Sequence, residues 1–218
     1  MISVVNQREP ILLFNINFIV PLRPFYLFLL CILLFAACEP ETYIPKPRGY
    51  YKIEFPKKEY TTFNKADYPY SFEYPMYANI EKDTMFFDQK TENPWWINVN
   101  FSKLGGKIYI SYKEINATHT LTKLLEDSYK MSHYHSKRAD YINEPVFNIS
   151  QNHVHGIFYD VGGNAASALQ FYATDSVKHF IRGALYFDTT PNVDSLKPIN
   201  EFLRKDIEHL IQTLQWKL

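Results

Sequence analysis

Three strand-length runs follow one another directly in the C-terminal half, and they limit the fold more than any other feature. They occupy residues 153–161, 168–174 and 179–187. The first link is built around Gly162, Gly163 and Asn164, and the second is the polar stretch 175–178. Links this short leave no room for a crossover helix. The three strands therefore pair antiparallel, and the sheet is not assembled from βαβ units.

The rest of the pattern extends that sheet. Trp95, Ile97, Val99 and Phe101 alternate with Trp96, Asn98 and Asn100, the period of a strand with two different faces. Gly105-Gly106 marks a turn and residues 107–112 return, which predicts a hairpin. Residues 71–80 read as paired strands interrupted by Pro75, residues 50–55 as an edge strand stopped by Pro56, residues 82–93 as a polar loop, and residues 146–149 as a short strand. A helix is expected from a cap at Thr118 or Thr120 to about His135, with Leu121, Leu124, Leu125, Ser128 and Met131 as its buried stripe. A second helix is capped by Asp194 or Ser195 and carries Pro198 in its first turn, where the missing N–H costs nothing. Its apolar face is Leu196, Ile199, Phe202, Leu203, Ile207, Leu210, Ile211 and Leu214. Strands, helix, strands, helix define an α+β class with helices packed on an antiparallel sheet. The order resembles a PsbP/Mog1-like α/β/α sandwich, an analogy of fold that carries no function.

The N-terminal end follows a different logic. Residues 25–37 are apolar, about the length of a secretory hydrophobic region and short for a membrane-spanning helix. Arg23 precedes the run, and Ala36, Ala37 and Cys38 close it. Small residues followed by cysteine form the pattern of a bacterial lipoprotein signal, in which the thiol of Cys38 takes a diacylglycerol and the preceding peptide is removed. Phe35 departs from the usual aliphatic residue, and the segment before Arg23 is long. The alternative is an uncleaved membrane anchor. Residues 39–49 contain Pro40, Pro45 and Pro47 and read as an extended tether. The expected organisation is thus a removed signal at 1–37, a lipidated proline-rich tether at 38–49 and a single domain at 50–218.

Composition excludes several functions. The chain has 23 basic and 23 acidic residues, and removal of the leader leaves 21 against 22. This balance gives no basic face for nucleic acid and no polybasic grip on lipid headgroups. The two cysteines are Cys31, inside the leader, and Cys38. The mature chain therefore has no disulfide, thiol nucleophile or cysteine metal site.

Candidate chemistry is sparse. His153 and His155, two apart on a predicted strand, would share one face and could reach one metal ion, with His179 or Asp160 as a third ligand. The plainer reading is two polar residues on a solvent face. His133 and His135 near a helix end suit the helix dipole. Gly162-Gly-Asn-Ala-Ala-Ser167 lacks phosphate-loop spacing and leads into a strand. No serine lies in a G-x-S-x-G elbow, and no carboxylate pair has acid–base spacing. One of Trp95 and Trp96 could stack a sugar, the other being core. This supports a second reading, a small-ligand or glycan binder of the envelope.

Several segments resemble the gliding-motility lipoprotein GldD family of Bacteroidota. They are Cys38 followed by Tyr43-Ile-Pro-Lys-Pro-Arg-Gly-Tyr50, then Phe72-Glu-Tyr-Pro-Met-Tyr-Ala78, Gly106-Lys-Ile-Tyr-Ile-Ser-Tyr112, Tyr159-Asp-Val-Gly-Gly-Asn-Ala-Ala-Ser167 and His179-Phe-Ile-Arg-Gly-Ala-Leu-Tyr-Phe-Asp188. The resemblance runs over essentially the whole mature chain. It implies a membrane-anchored envelope lipoprotein required for gliding motility and the linked type IX secretion system, with other motility or secretion proteins as partners. It implies no known enzymatic activity, no cofactor and no defined active site. Cys38 is the one position to which it assigns a role, as the lipid attachment site, and the expected location is the outer membrane, facing the periplasm.

Overall fold

Alternating side chains on the long strands decide the architecture, because they give the sheet two faces of different chemistry. The structure, a computed structural model, describes residues 26–31, 52–86 and 89–217. Its strands are β1 (Tyr60–Phe63), β2 (Tyr70–Pro75), β3 (Asn79–Lys82), β4 (Met85–Phe86), β5 (Gln89–Lys90), β6 (Ile97–Phe101), β7 (Gly106–Glu114), β8 (Ala139–Asn143), β9 (Val146–Ile149), β10 (Val154–Gly163), β11 (Leu169–Thr174), β12 (His179–Phe187) and β13 (Gln215–Trp216). Two helices, α1 (Leu121–His133) and α2 (Val193–Thr213), complete the domain. The fold is α+β. Tyr50–Leu218 forms one compact unit.

The main sheet runs β3-β6-β7-β12-β11-β10-β8, with β9 also paired to β10, and every pairing is antiparallel. The meander β10-β11-β12 and the hairpin β6-β7 lie where the sequence predicts them. One face presents Val99, Ile108, Ile110, Phe171, Ile181 and Leu185 to Leu203, Ile207, Leu210 and Ile211 of α2. Phe63, Tyr70 and Phe72 of a second sheet, β1-β2-β13, join the same core. The other face is more polar and carries α1.

Local signals set the helix ends. Lys123 N donates to the Thr120 side chain at 3.4 Å, so Thr120 is the cap of α1. For α2 the cap is Asn192, which accepts from Ser195 N at 3.0 Å, and not Asp194 or Ser195. That earlier start places Pro198 in the second turn, where one intrahelical hydrogen bond is lost; tertiary burial of the apolar stripe outweighs it. The buried stripe of α1 is Leu124, Ser128 and Ser132, whereas Met131 is 43 % exposed. Two serines one turn apart let the helix lie close to the sheet, where Ser132 Oγ donates to Gln170 Oε1 at 3.3 Å.

Three further expectations are corrected. Residues 52–59 form no strand, and the first strand is β1. The two strands around Pro75 do not pair with each other: β2 belongs to the small sheet and β3 to the main one. The polar stretch after Lys82 contains the ribbon β4-β5. Beyond these, β8 and β13 are strands that the sequence pattern does not announce.

Close strand packing has a test. A Cβ at Gly156 would collide with the backbone carbonyl oxygen of Tyr172 on β11 and with the Phe147 ring. A backbone atom within a sheet cannot move aside by a rotamer change. Gly156→Ala is therefore expected to lower stability by about 1–3 kcal/mol, measured as a reduced urea midpoint with an unchanged slope.

Candidate functional site

The residues singled out by sequence do not converge on one centre. Cys38, the expected lipid attachment position, lies outside the described residues. In the segment expected to be the leader, residues 26–31 are helical with exposed side chains. Among the described residues no helix is long and apolar enough to cross a membrane.

The histidine pair loses its geometric basis. His153 sits in a left-handed conformation (φ 52°) at the end of a 3-10 turn, one residue before β10 begins. Only His155 is on the strand, and its Nε2 lies 2.6 Å from Ser176 Oγ. His179 is buried, with Nδ1 2.8 Å from the Tyr112 hydroxyl and its ring stacked on Trp216 at 5.1 Å. Asp160 is paired with Arg204 at 2.6 Å. Among the described residues no group of three or more His, Cys, Asp or Glu is placed to hold a metal. The tryptophans are structural as well. Trp95 packs on the core and donates its indole N–H to Asp67 O at 2.6 Å. Trp96 is buried and donates its own to Tyr112 O at 3.0 Å. Gly162 and Gly163 end β10, and Asn164 Oδ1 accepts from Val193 N at 2.9 Å. His133 pairs with Glu144 at 2.9 Å and stacks on Tyr129.

Two arrangements outside that set are each built around one charged side chain, the first buried and the second half-buried. The first is Asp206 on α2, 1 % exposed. Its Oδ1 accepts from Lys58 Nζ at 2.6 Å and from the Tyr60 hydroxyl at 2.9 Å, and its Oδ2 accepts from the Tyr77 hydroxyl. Burial and the neighbouring carboxylate raise the pKa of both tyrosines, so both hydroxyls remain donors. Lys58 Nζ also donates to Phe202 O at 3.0 Å and lies 3.8 Å over the Phe202 ring, on which Phe55 stacks at 4.3 Å. Together these contacts clasp the segment at the start of the domain onto α2.

The second is Arg182 on β12, on the polar face. Strand register lines up Ser111, Arg182 and Tyr172 across β7, β12 and β11. Arg182 donates to Gln170 Oε1 and, among the described residues, pairs with no carboxylate. Burial pulls its pKa down, while Tyr186 and Tyr159 act in the opposite direction. The guanidinium borders a cavity of about 140 Å³ lined also by Trp96, Tyr109, Ser111, Lys113, Met131 and Asp83. Nothing in a linear reading marks Arg182, because the cavity joins β6, β7, β12 and α1.

Burial lowers the pKa of both His179 and His135, with Arg182 adding to the effect at His135. A histidine held neutral in the fold binds its proton less readily than in the unfolded chain. Stability is therefore complete above the unfolded value near 6.5 and falls as pH drops below it. The expected result is a lower Tm at pH 5 than at pH 7.5, with His179→Gln showing a flatter dependence across that interval.

Fold and sequence together define an α+β domain. The chain belongs to the gliding motility lipoprotein GldD family, whose model matches residues 40–216. The chain is also similar in structure to the cyanobacterial PsbP protein CyanoP from Synechocystis sp. PCC 6803, with TM-score 0.45 and 13 % identity over 74 % of this chain and 94 % of that one. Among curated proteins none matches it in sequence.

Proposed function

We propose that this protein is a non-enzymatic assembly or stabilising component of the gliding apparatus and of the linked type IX secretion machinery. Lipid on Cys38 holds it at the outer membrane, facing the periplasm, and the proline-rich tether gives the domain reach to engage other motility or secretion proteins. The observation that carries this reading is the family match, which begins two residues after Cys38 and continues almost to the end of the chain. The clasp at Asp206 is consistent with it. Lys58 and Tyr60 tie the start of the domain to α2, so a pull on the tether would meet a charged, hydrogen-bonded lock. The test is deletion of the gene with re-expression of the wild-type chain. Loss of surface gliding and of exported cargo on deletion, both restored by re-expression, supports the reading. A deletion strain that glides and secretes normally contradicts it.

A further inference from the structure

The guanidinium on the polar face of the sheet, which meets no carboxylate among the described residues, has a ligand chemistry of its own. Buried charges in proteins are ordinarily paired, because desolvation is costly. Arg182 instead meets the neutral side chain of Gln170, which is fully buried; its Oε1 accepts from Arg182 and Ser132, while its Nε2 has no partner. A carboxamide fixes the direction of the guanidinium without cancelling its charge. An arginine stays ionised even when its pKa is lowered. The guanidinium therefore has no carboxylate in contact with it among the described residues.

The surroundings select the anion. Lys113, the other cation of the cavity, is already taken by Glu92 at 3.0 Å, and that carboxylate also lies 3.8 Å from His119 Nε2. Asp83, 8 % exposed, contributes a negative charge to the same cavity. Arg182 is thus the cation of the cavity that meets no carboxylate among the described residues, and the Asp83 charge close by disfavours a dianion such as phosphate. A guanidinium offers two parallel N–H donors that match a carboxylate, and the Ser111 hydroxyl stands beside Arg182 in the register. Trp96, Tyr109 and Met131 supply apolar surface for the body of the ligand. We propose that this cavity binds a monocarboxylate on a short apolar or aromatic body, with Arg182 as the carboxylate-binding residue. The carboxylate could come from a free small acid or from the C-terminus of a polypeptide.

The experiment is calorimetric titration of the detergent-solubilised full chain. The probes are benzoate, benzamide, inorganic phosphate, and N-acetyl-Gly-Phe with a free or an amidated terminus. The expected result is that the acids bind and their amides do not. Arg182→Met abolishes binding, and Arg182→Lys weakens it by about tenfold or more, because an ammonium lacks the two-pronged geometry. Arg182→Lys keeps the charge and serves as the test if Arg182→Met fails to fold. Tighter binding of the peptide acid than of benzoate supports the site with a polypeptide C-terminus as its source. Equal or tighter binding of benzoate supports it with a small acid as its source. Failure of both acids to bind overturns the proposal. So does equal binding of acid and amide, or phosphate binding as well as benzoate, or unchanged binding by either variant.

Discussion

Cys38→Ala is expected to move the protein from the membrane fraction to the soluble fraction and to reduce gliding to the level of the deletion strain. The size of the effect follows from the anchor. Each buried methylene of an acyl chain contributes about 0.8 kcal/mol, and two or more chains give stable attachment where one gives marginal binding. On the proposed reading, removing the thiol removes the diacylglycerol and the processing that depends on it. The domain itself should be untouched, since Tyr50–Leu218 forms a compact unit of its own. Fractionation, immunoblotting for normal abundance and a gliding assay read the outcome. A variant that remains in the membrane would favour the uncleaved-anchor alternative for residues 25–37. One that is soluble, normally abundant and fully motile would show that the lipid is dispensable.

The largest expected loss of stability is at Asp206. Its carboxylate is 1 % exposed and accepts three side-chain hydrogen bonds, from Lys58, Tyr60 and Tyr77. Alanine there leaves two part-buried hydroxyls without their acceptor and the part-buried ammonium with Phe202 O alone. Breaking a buried pair by removing one partner costs about 3–5 kcal/mol. Lys58 is 25 % exposed in its side chain and can regain some hydration, which places Asp206→Ala near the lower end. Denaturant unfolding of the variant should show that loss, while Lys58→Met, which removes the charge and keeps the stem over Phe202, should cost less. An Asp206→Ala protein as stable as wild type would mean that the clasp does not hold the start of the domain.

The sequence revealed this fold unevenly, and the physical reasons are specific. The meander β10-β11-β12 was readable because short turns leave antiparallel pairing as the one solution. The hairpin β6-β7 and the apolar stripe of α2 were readable because burial imposes a period. The second sheet was hidden: β13 is two residues long and pairs with β2 across 144 positions of sequence, Gln215 opposite Ser71. No local pattern encodes such a pairing. The strand expected at 50–55 reflected propensity alone, whereas Phe55 and Lys58 serve α2 through a stack and an ion pair. Met131 fits a helical stripe by hydrophobicity, yet Ser132 occupies the inward position because a small residue allows close approach to Gln170. Arg182 was invisible for a related reason. What sets it apart is that no carboxylate among the described residues meets it, and that is a property of packing across several strands.

The central claim is that an anchored domain works with other components of the motility and secretion machinery. Chemical crosslinking in intact envelopes tests it most directly, with tagged protein purified from strains carrying Cys38 or Cys38→Ala. The expected result is recovery of gliding or secretion proteins with the wild-type chain and their loss from the Cys38→Ala sample. Recovery of no such protein from either strain, or of the same partners in equal yield from both, would contradict it.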